Sequence, residues 1–180
     1  VAVAGSGTTD EDQSTVVTLS GSDVDGDNLT FSVGSALNGT LDLNGSLVTY
    51  TPDANYNGSD SFDFTVSDGA ESSTETVTLT VNAINDAPVL ATVSDVNFDE
   101  DEASNVVVLL GNDVDGDNLT YDITSGVNII ASLSGSDVSF SAPENYNGSE
   151  EFTVSVTDGT ETDSQSITVT VNAVNDAPVA

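Results

Sequence analysis

The octapeptide Asp-Val-Asp-Gly-Asp-Asn-Leu-Thr occurs at Asp23–Thr30 and again, ninety positions later, at Asp113–Thr120. A 180-residue chain that repeats itself at half its length is two copies of one unit, and the unit must fold within about ninety residues. Other landmarks keep the same register. Asn55-Tyr56-Asn57-Gly58-Ser59 returns as Asn145-Tyr146-Asn147-Gly148-Ser149, Ser67-Asp68-Gly69 as Thr157-Asp158-Gly159, and Val81-Asn82-Ala83 as Val171-Asn172-Ala173. Asn-Asp-Ala-Pro-Val follows each copy, at Asn85–Val89 and Asn175–Val179. The repeat predicts domains at 1–89 and 90–180. The chain opens as though it followed a missing Asn-Asp-Ala-Pro and shows no start Met, signal peptide or membrane span, so we expect a mature fragment of a longer series.

Inside each unit the apolar residues alternate with period two. Phe62, Phe64 and Val66 interleave with Ser61, Asp63 and Thr65; Val77, Leu79 and Val81 interleave with Thr76, Thr78 and Thr80. The second unit repeats the pattern with Phe152, Val154 and Val156, and with Ile167, Val169 and Val171. Such runs, bounded by Gly, Asn, Asp and Ser, are antiparallel strands with one buried face. About seven strands fit a unit, which predicts an all-β chain of two tandem Greek-key β-sandwiches of immunoglobulin-like type, arranged end to end. Asn38-Gly39 and Asn44-Gly45 are read as hairpin turns.

Charge then limits the chemistry. There are 31 Asp and Glu against no Lys, Arg or His, a formal charge of −31. Phosphate recognition depends on Lys and Arg, so nucleic acid and anionic membrane surfaces are excluded as partners. Cys is absent, which removes disulfides and thiolate metal sites, and leaves a hard metal ion as the available staple. Polyvalent cations are the fitting ligands. Catalysis without His, Cys, Lys or Arg would fall to paired carboxylates, but Trp platforms for a sugar are absent, so the chain is read as non-enzymatic.

Strand parity places the acids. Asp60 and Asp68 are eight residues apart, roughly 26 Å along a strand, so they lie at opposite ends of a small sandwich. Both share the parity of Phe62 and Phe64 and lean toward the core rim, where an unpaired charge is costly. Glu150 and Asp158 repeat this. Following the other strands puts Glu11, Asp60, Asn85 and Asp86 at the exit end of the first unit, and Asp23, Asp25, Asp27 and Asp68 at its entry end. Head-to-tail joining then gathers Glu11, Asp60, Asn85 and Asp86 with Asp113, Asp115, Asp117 and Asp158. Glu100, Glu150 and Asp176 form the far end. Six to eight oxygens in flexible geometry suit Ca2+ better than Mg2+ or a transition metal. An EF-hand is ruled out, because Gly26 is fourth in the loop, Asn28 stands where its Gly belongs, and Gly34 stands where its Glu belongs.

An early acidic residue, a D-x-D turn, a strand ending in Asp-Gly and a linker of N-D-A-P type resemble cadherin-like repeats. The chain is more closely similar to the bacterial cadherin-like and immunoglobulin-like repeats of large surface adhesins of the RTX type, many exported by type I secretion. The resemblance spans both units. It implies Ca2+ between successive domains, with Glu11 as the early ligand, Asp113 and Asp115 as the D-x-D pair and Asp158 as the late aspartate. The linker departs from the cadherin order, since Asn85-Asp86 transposes the Asp and Asn. Only Asp53-Ala54-Asn55 and Pro143-Glu144-Asn145 stand loosely for the cadherin D-R-E segment.

The resulting expectation is a Ca2+-stiffened extender of a bacterial adhesin. It would be secreted or on the cell surface, serve cell adhesion or biofilm, and take neighbouring repeats of the same chain as partners. The alternative is a Ca2+-dependent recognition module for a polysaccharide or a protein, including like repeats.

Overall fold

The computed structural model describes residues 1–177, so the end of the second Asn-Asp-Ala-Pro-Val copy, at Pro178 and Val179, lies outside the described residues. Every regular element described is a strand. Internal contacts divide the chain into two compact units, Val1–Ile84 and the remainder from Asn85 onward.

In the first unit a four-stranded sheet runs in the order Gly5–Asp10, Ser72–Asn82, Gly58–Ser67, Thr30–Val33. A three-stranded sheet runs Thr15–Thr18, Leu47–Pro52, Gly39–Asn44. The chain passes from the first sheet to the second after Val33 and back after Pro52, a Greek-key crossing. All of these pairs are antiparallel except Gly5–Asp10, which lies parallel to Ser72–Asn82 with Gly7 opposite Leu79. Ala2–Val3 adds a short pairing with Ser20–Gly21.

The core lies between the two sheets. Phe62, Phe64, Val66, Val77, Leu79 and Val81 face Val17, Val48 and Tyr50 across it. Their alternating partners Ser61, Asp63, Thr76, Thr78 and Thr80 are exposed, as period-two patterning requires. The second unit repeats the plan. Val96–Asp99, Thr162–Asn172, Gly148–Thr157 and Thr120–Ile123 form one sheet, and Val107–Val108, Asp137–Ser141 and Ile130–Ser134 the other. Its core centres on Phe140 and Phe152, whose rings meet edge to face at 5.1 Å.

One of the two expected turns behaves as a hairpin. Asn44 pairs with Leu47 across Gly45-Ser46, and Gly45 has φ 65°, the left-handed geometry a two-residue connection places on Gly at its first central position. Asn38-Gly39 is not a hairpin. Asn38 belongs to the crossing loop, and its amide is spent on Asp60. Val89–Leu90 pairs with Gly111–Asn112, so the Asn85–Val89 segment belongs by contact to the second unit.

Candidate metal centre

The entry end of the second unit carries the duplicated acidic loop between Gly111–Asn112 and Thr120–Ile123. Gly116 reverses the chain at φ 78°, which sets three aspartates around the bend. Carboxylate oxygens of Asp113, Asp115 and Asp117 lie within 4.8 Å of one another. Asp113 Oδ1 accepts the Asp117 amide at 3.1 Å, and its Oδ2 is buried with no hydrogen-bond partner. Like charges at that spacing repel by about 1 kcal/mol per pair even in water. No basic side chain exists in the chain to relieve them.

The Asn85-Asp86 segment docks on the same end. Asn85 Nδ2 donates to Asp158 Oδ2 at 2.9 Å, and the Asp86 amide donates to Asp115 Oδ2 at 2.8 Å. Asp158 caps the end of its strand: its Oδ1 takes the amides of Thr160 and Glu161 at 2.5 and 2.7 Å. The Glu161 amide, the Asn85 side chain and the Thr160 amide together hold its carboxyl below the usual range. Asp113, Asp115, Asp117, Asp158, Asn85 and Asp86 are thus gathered at one end of one unit.

In the first unit the matching loop is closed on itself. Asp23 Oδ1 accepts the amides of Asp25 at 2.9, Gly26 at 2.9 and Asp27 at 3.2 Å. Asp68 Oδ1 takes Ala70 and Glu71 amides, each at 2.7 Å, and these lower its pKa.

The exit ends are built around a buried glutamate. Glu11 follows the parallel strand, its amide donates to the Asn82 carbonyl at 3.0 Å, and the residue is 4% exposed. Its Oε1 accepts the Ile84 amide at 2.5 Å, while Oε2 is buried with no hydrogen-bond partner. Glu100 repeats the position in the second unit, 6% exposed, with Oε1 on the Val174 amide at 2.6 Å and Oε2 on Asn147 Nδ2 at 3.2 Å. A buried carboxylate oxygen without a donor costs about 1–3 kcal/mol, more when charged. A hard cation is the partner that would remove that cost without adding a donor to the sequence.

Asp60 and Glu150 are satisfied by partners that strand parity did not foresee. Asp60 does lean inward and is 8% exposed. Its partners, however, are the amides of Leu37 at 3.2, Asn38 at 2.9 and Ser61 at 2.8 Å, with the Tyr50 hydroxyl at 3.0 Å. Burial pushes its pKa up, but the Asn38, Ser61 and Leu37 amides and Tyr50 outweigh it and hold Asp60 below its ordinary value. Burial, and then the bond to Asp60, raise Tyr50. Glu150 likewise holds the Val127 and Asn128 amides at 2.7 and 2.8 Å. Both carboxylates anchor the loop that crosses between the sheets.

Sequence reasoning missed the residues beside the glutamates. Asp12 and Asp101 adopt left-handed φ of 57° and 66° and accept the amides of Asn55 and Asn145 at 3.1 and 2.9 Å. The signal was there in the paired Glu11-Asp12 and Glu100-Asp101 and in the repeated Asn-Tyr-Asn-Gly turn.

These features define a class: tandem immunoglobulin-like sandwiches with oxygen-rich ends. The bacterial Ig domain family model matches residues 1–82 and 85–171, and the chain belongs to that family. Its fold is similar to Drosophila N-cadherin EC1-4, at TM-score 0.66 and 18% identity over 96% of this chain and 48% of that one. It is also similar to the extracellular cadherin domains 1-5 of protocadherin gamma B2, at TM-score 0.62 and 15% identity over 96% and 38%. An endo-fucoidan hydrolase of glycoside hydrolase family 107 matches at 23% identity over 96% and 28%, with a TM-score of 0.39 too low to carry an argument. The chain therefore spans less than half of each of these proteins. Comparison with curated proteins returns no match.

Proposed function

We propose that this chain is a Ca2+-binding structural segment of a secreted or surface-displayed bacterial adhesin, a non-catalytic extender whose linker is ordered by the metal. The supporting observation is the way residues 84–86 are held. Glu11 grips the Ile84 amide on one side of the Ile84–Asn85 peptide bond, and Asp158 and Asp115 grip Asn85 and Asp86 on the other. Within its own unit, each of Glu11 Oε2 and Asp113 Oδ2 is buried and lacks a donor.

The donor set is carboxylate, amide and backbone oxygen, which fits Ca2+. In this reading Glu11, Asn85, Asp86, Asp113, Asp115, Asp117 and Asp158 hold it, and Asp23, Asp25, Asp27, Asp68 and Glu100 serve the equivalent ends. When bound, the ion supplies the positive charge that the sequence omits. The residues supply position: the Asp158 turn fixes one oxygen on Asn85, and the αL turn at Asp12 fixes Glu11. Membership of the bacterial Ig domain family and the cadherin-like fold support an extracellular, load-bearing role over a catalytic one. Among the described residues no helix is long and apolar enough to cross a membrane.

The test is calorimetric melting and small-angle scattering of the two-unit chain in calcium chloride and in EDTA. The reading expects a higher melting temperature and a longer, narrower distance distribution with calcium. Identical melting and identical scattering in the two buffers would overturn it.

A further inference from the structure

The first unit carries a recess of about 600 Å3 at a place where its four-stranded sheet loses a strand. Thr30–Val33 pairs only with Phe64–Ser67, so the stretch from Ser59 to Ser61 has no strand beside it on that edge. The crossing loop, at Leu37 and Asn38, forms a wall there instead. The floor is made of hydroxyls. Ser59 lies opposite Thr80 and Ser61 opposite Thr78, and all four are exposed, on the face away from Phe62 and Leu79. Their hydroxyls make no hydrogen bond to any described residue. The wall is held in place from behind. Asp60 binds the amides of both Leu37 and Asn38, and the Leu37 side chain is left 86% exposed. Asp60 is the one acid among the described lining residues, and its carboxylate is already occupied by those amides and by Tyr50. In a chain of charge −31, the recess is a neutral window.

We propose that this recess is a binding site for a small neutral saccharide, one or two sugar units in size. A serine or threonine hydroxyl both donates and accepts, so four of them can match the hydroxyls of a sugar in either sense. The exposed Leu37 beside them offers an apolar contact to the C–H face of the ring. The volume lies within the range of small-molecule sites. Acidic and sulfated sugars are excluded, because the chain has no Lys or Arg to receive them. A loop already pinned by Asp60 has little ordering left to lose on binding. The second unit shows what spoils the site. Val127 keeps an exposed apolar tip at the Leu37 position, but Glu151 stands where Ser61 does, and the Ser149 and Thr170 hydroxyls are bonded to each other at 3.0 Å. Saccharide binding therefore belongs to the first unit alone. The site uses none of the residues assigned to calcium, so either reading can fail without the other.

The experiment follows backbone amide signals of the two-unit chain by NMR during titration with glucose, galactose, mannose, N-acetylglucosamine and cellobiose, with glucuronate as the anionic control. At least one neutral sugar is expected to move the Leu37, Ser61 and Thr78 signals saturably, and glucuronate to leave them still. Ser61→Glu copies a residue that the second unit already carries at this position, so the fold is kept. It should weaken the binding roughly tenfold or more, because it removes a hydroxyl and brings a charge into the recess. Leu37→Ser should weaken it too while melting at the parent temperature, since that side chain is exposed. The proposal is overturned if no sugar of the panel moves those signals, or if Thr168 and Thr170 of the second unit respond equally. It is also overturned if the same signals move with protein concentration in the absence of sugar, which would make the face a contact between copies of the chain.

Discussion

Asp60 is the residue whose surroundings decide how an all-acidic chain tolerates a buried charge. Both its oxygens accept, from three backbone amides and the Tyr50 hydroxyl, so removing either its charge or an acceptor leaves donors facing nothing. Asp60→Asn turns an NH2 toward amide donors, and we expect a loss of roughly 1–3 kcal/mol in urea unfolding at pH 7. The repeats document the alternative solution. Where the first unit pairs Tyr50 with Asp60, the second has Phe140 at the Tyr50 position and the longer Glu150, which accepts Asn128 Nδ2 at 3.0 Å and the Tyr146 hydroxyl at 3.5 Å. Tyr50→Phe should accordingly cost less than Asp60→Asn. The pH dependence has a definite sign. The folded pKa of Asp60 lies below its ordinary value, so its stabilisation is present above the usual carboxylate range and is lost as pH falls through the folded value. The gap in urea midpoint between parent and Asp60→Asn should therefore be full at pH 7 and shrink below about pH 4. Using the difference cancels the relief of general charge repulsion, which acts on both proteins alike.

Among the elements, the strands that carry the core were legible because burial writes itself as alternation. Phe62-Asp63-Phe64-Thr65-Val66 and Val77-Thr78-Leu79-Thr80-Val81 name their own inner faces, and all six apolar residues are buried. Gly5–Asp10 was not legible. Its sequence, Gly-Ser-Gly-Thr-Thr-Asp, offers no apolar residue, and it becomes a strand only by lying parallel to Ser72–Asn82. Glycine is what permits the fit: a Cβ on Gly7 would meet Val17 Cγ2 at 2.8 Å and Leu79 Cδ2 at 3.0 Å. Gly7→Val should overpack this seam and cost about 1–3 kcal/mol, read as a lower urea midpoint with the slope unchanged. The same limit explains the site. Parity correctly gave Asp60 an inward direction, but its partners come from Leu37 and Asn38, more than twenty residues away, and no local pattern encodes them. The convergence of Asp113, Asp115 and Asp117 was legible because it is carried by spacing within one loop. The bond from Asn147 to Glu100 depends on a loop meeting a strand end, which spacing alone does not reveal.

At the scale of the whole molecule, 31 acids and no bases make stability a function of the cations in solution. Self-repulsion in a chain of this charge falls with ionic strength, so sodium chloride alone should raise the melting temperature modestly through screening. Site binding is different in kind, because it acts at concentrations too low to screen. A site filled at a hundred times its dissociation constant adds about 2.7 kcal/mol by mass action. For a unit of this size each kcal/mol moves the midpoint by roughly 4–8 °C. Millimolar calcium at constant 0.15 M salt is therefore expected to raise melting by about 10 °C or more per occupied end. Asp113→Asn with Asp115→Asn should remove most of that increment while leaving melting in EDTA equal to or above the parent, since the double variant also relieves repulsion. This reversal separates a built site from general neutralisation: a mere charge effect would make the variant more stable in both buffers. If magnesium at equal concentration reproduces the calcium increment, the oxygens act only as a diffuse negative surface, and the linker has no selective site.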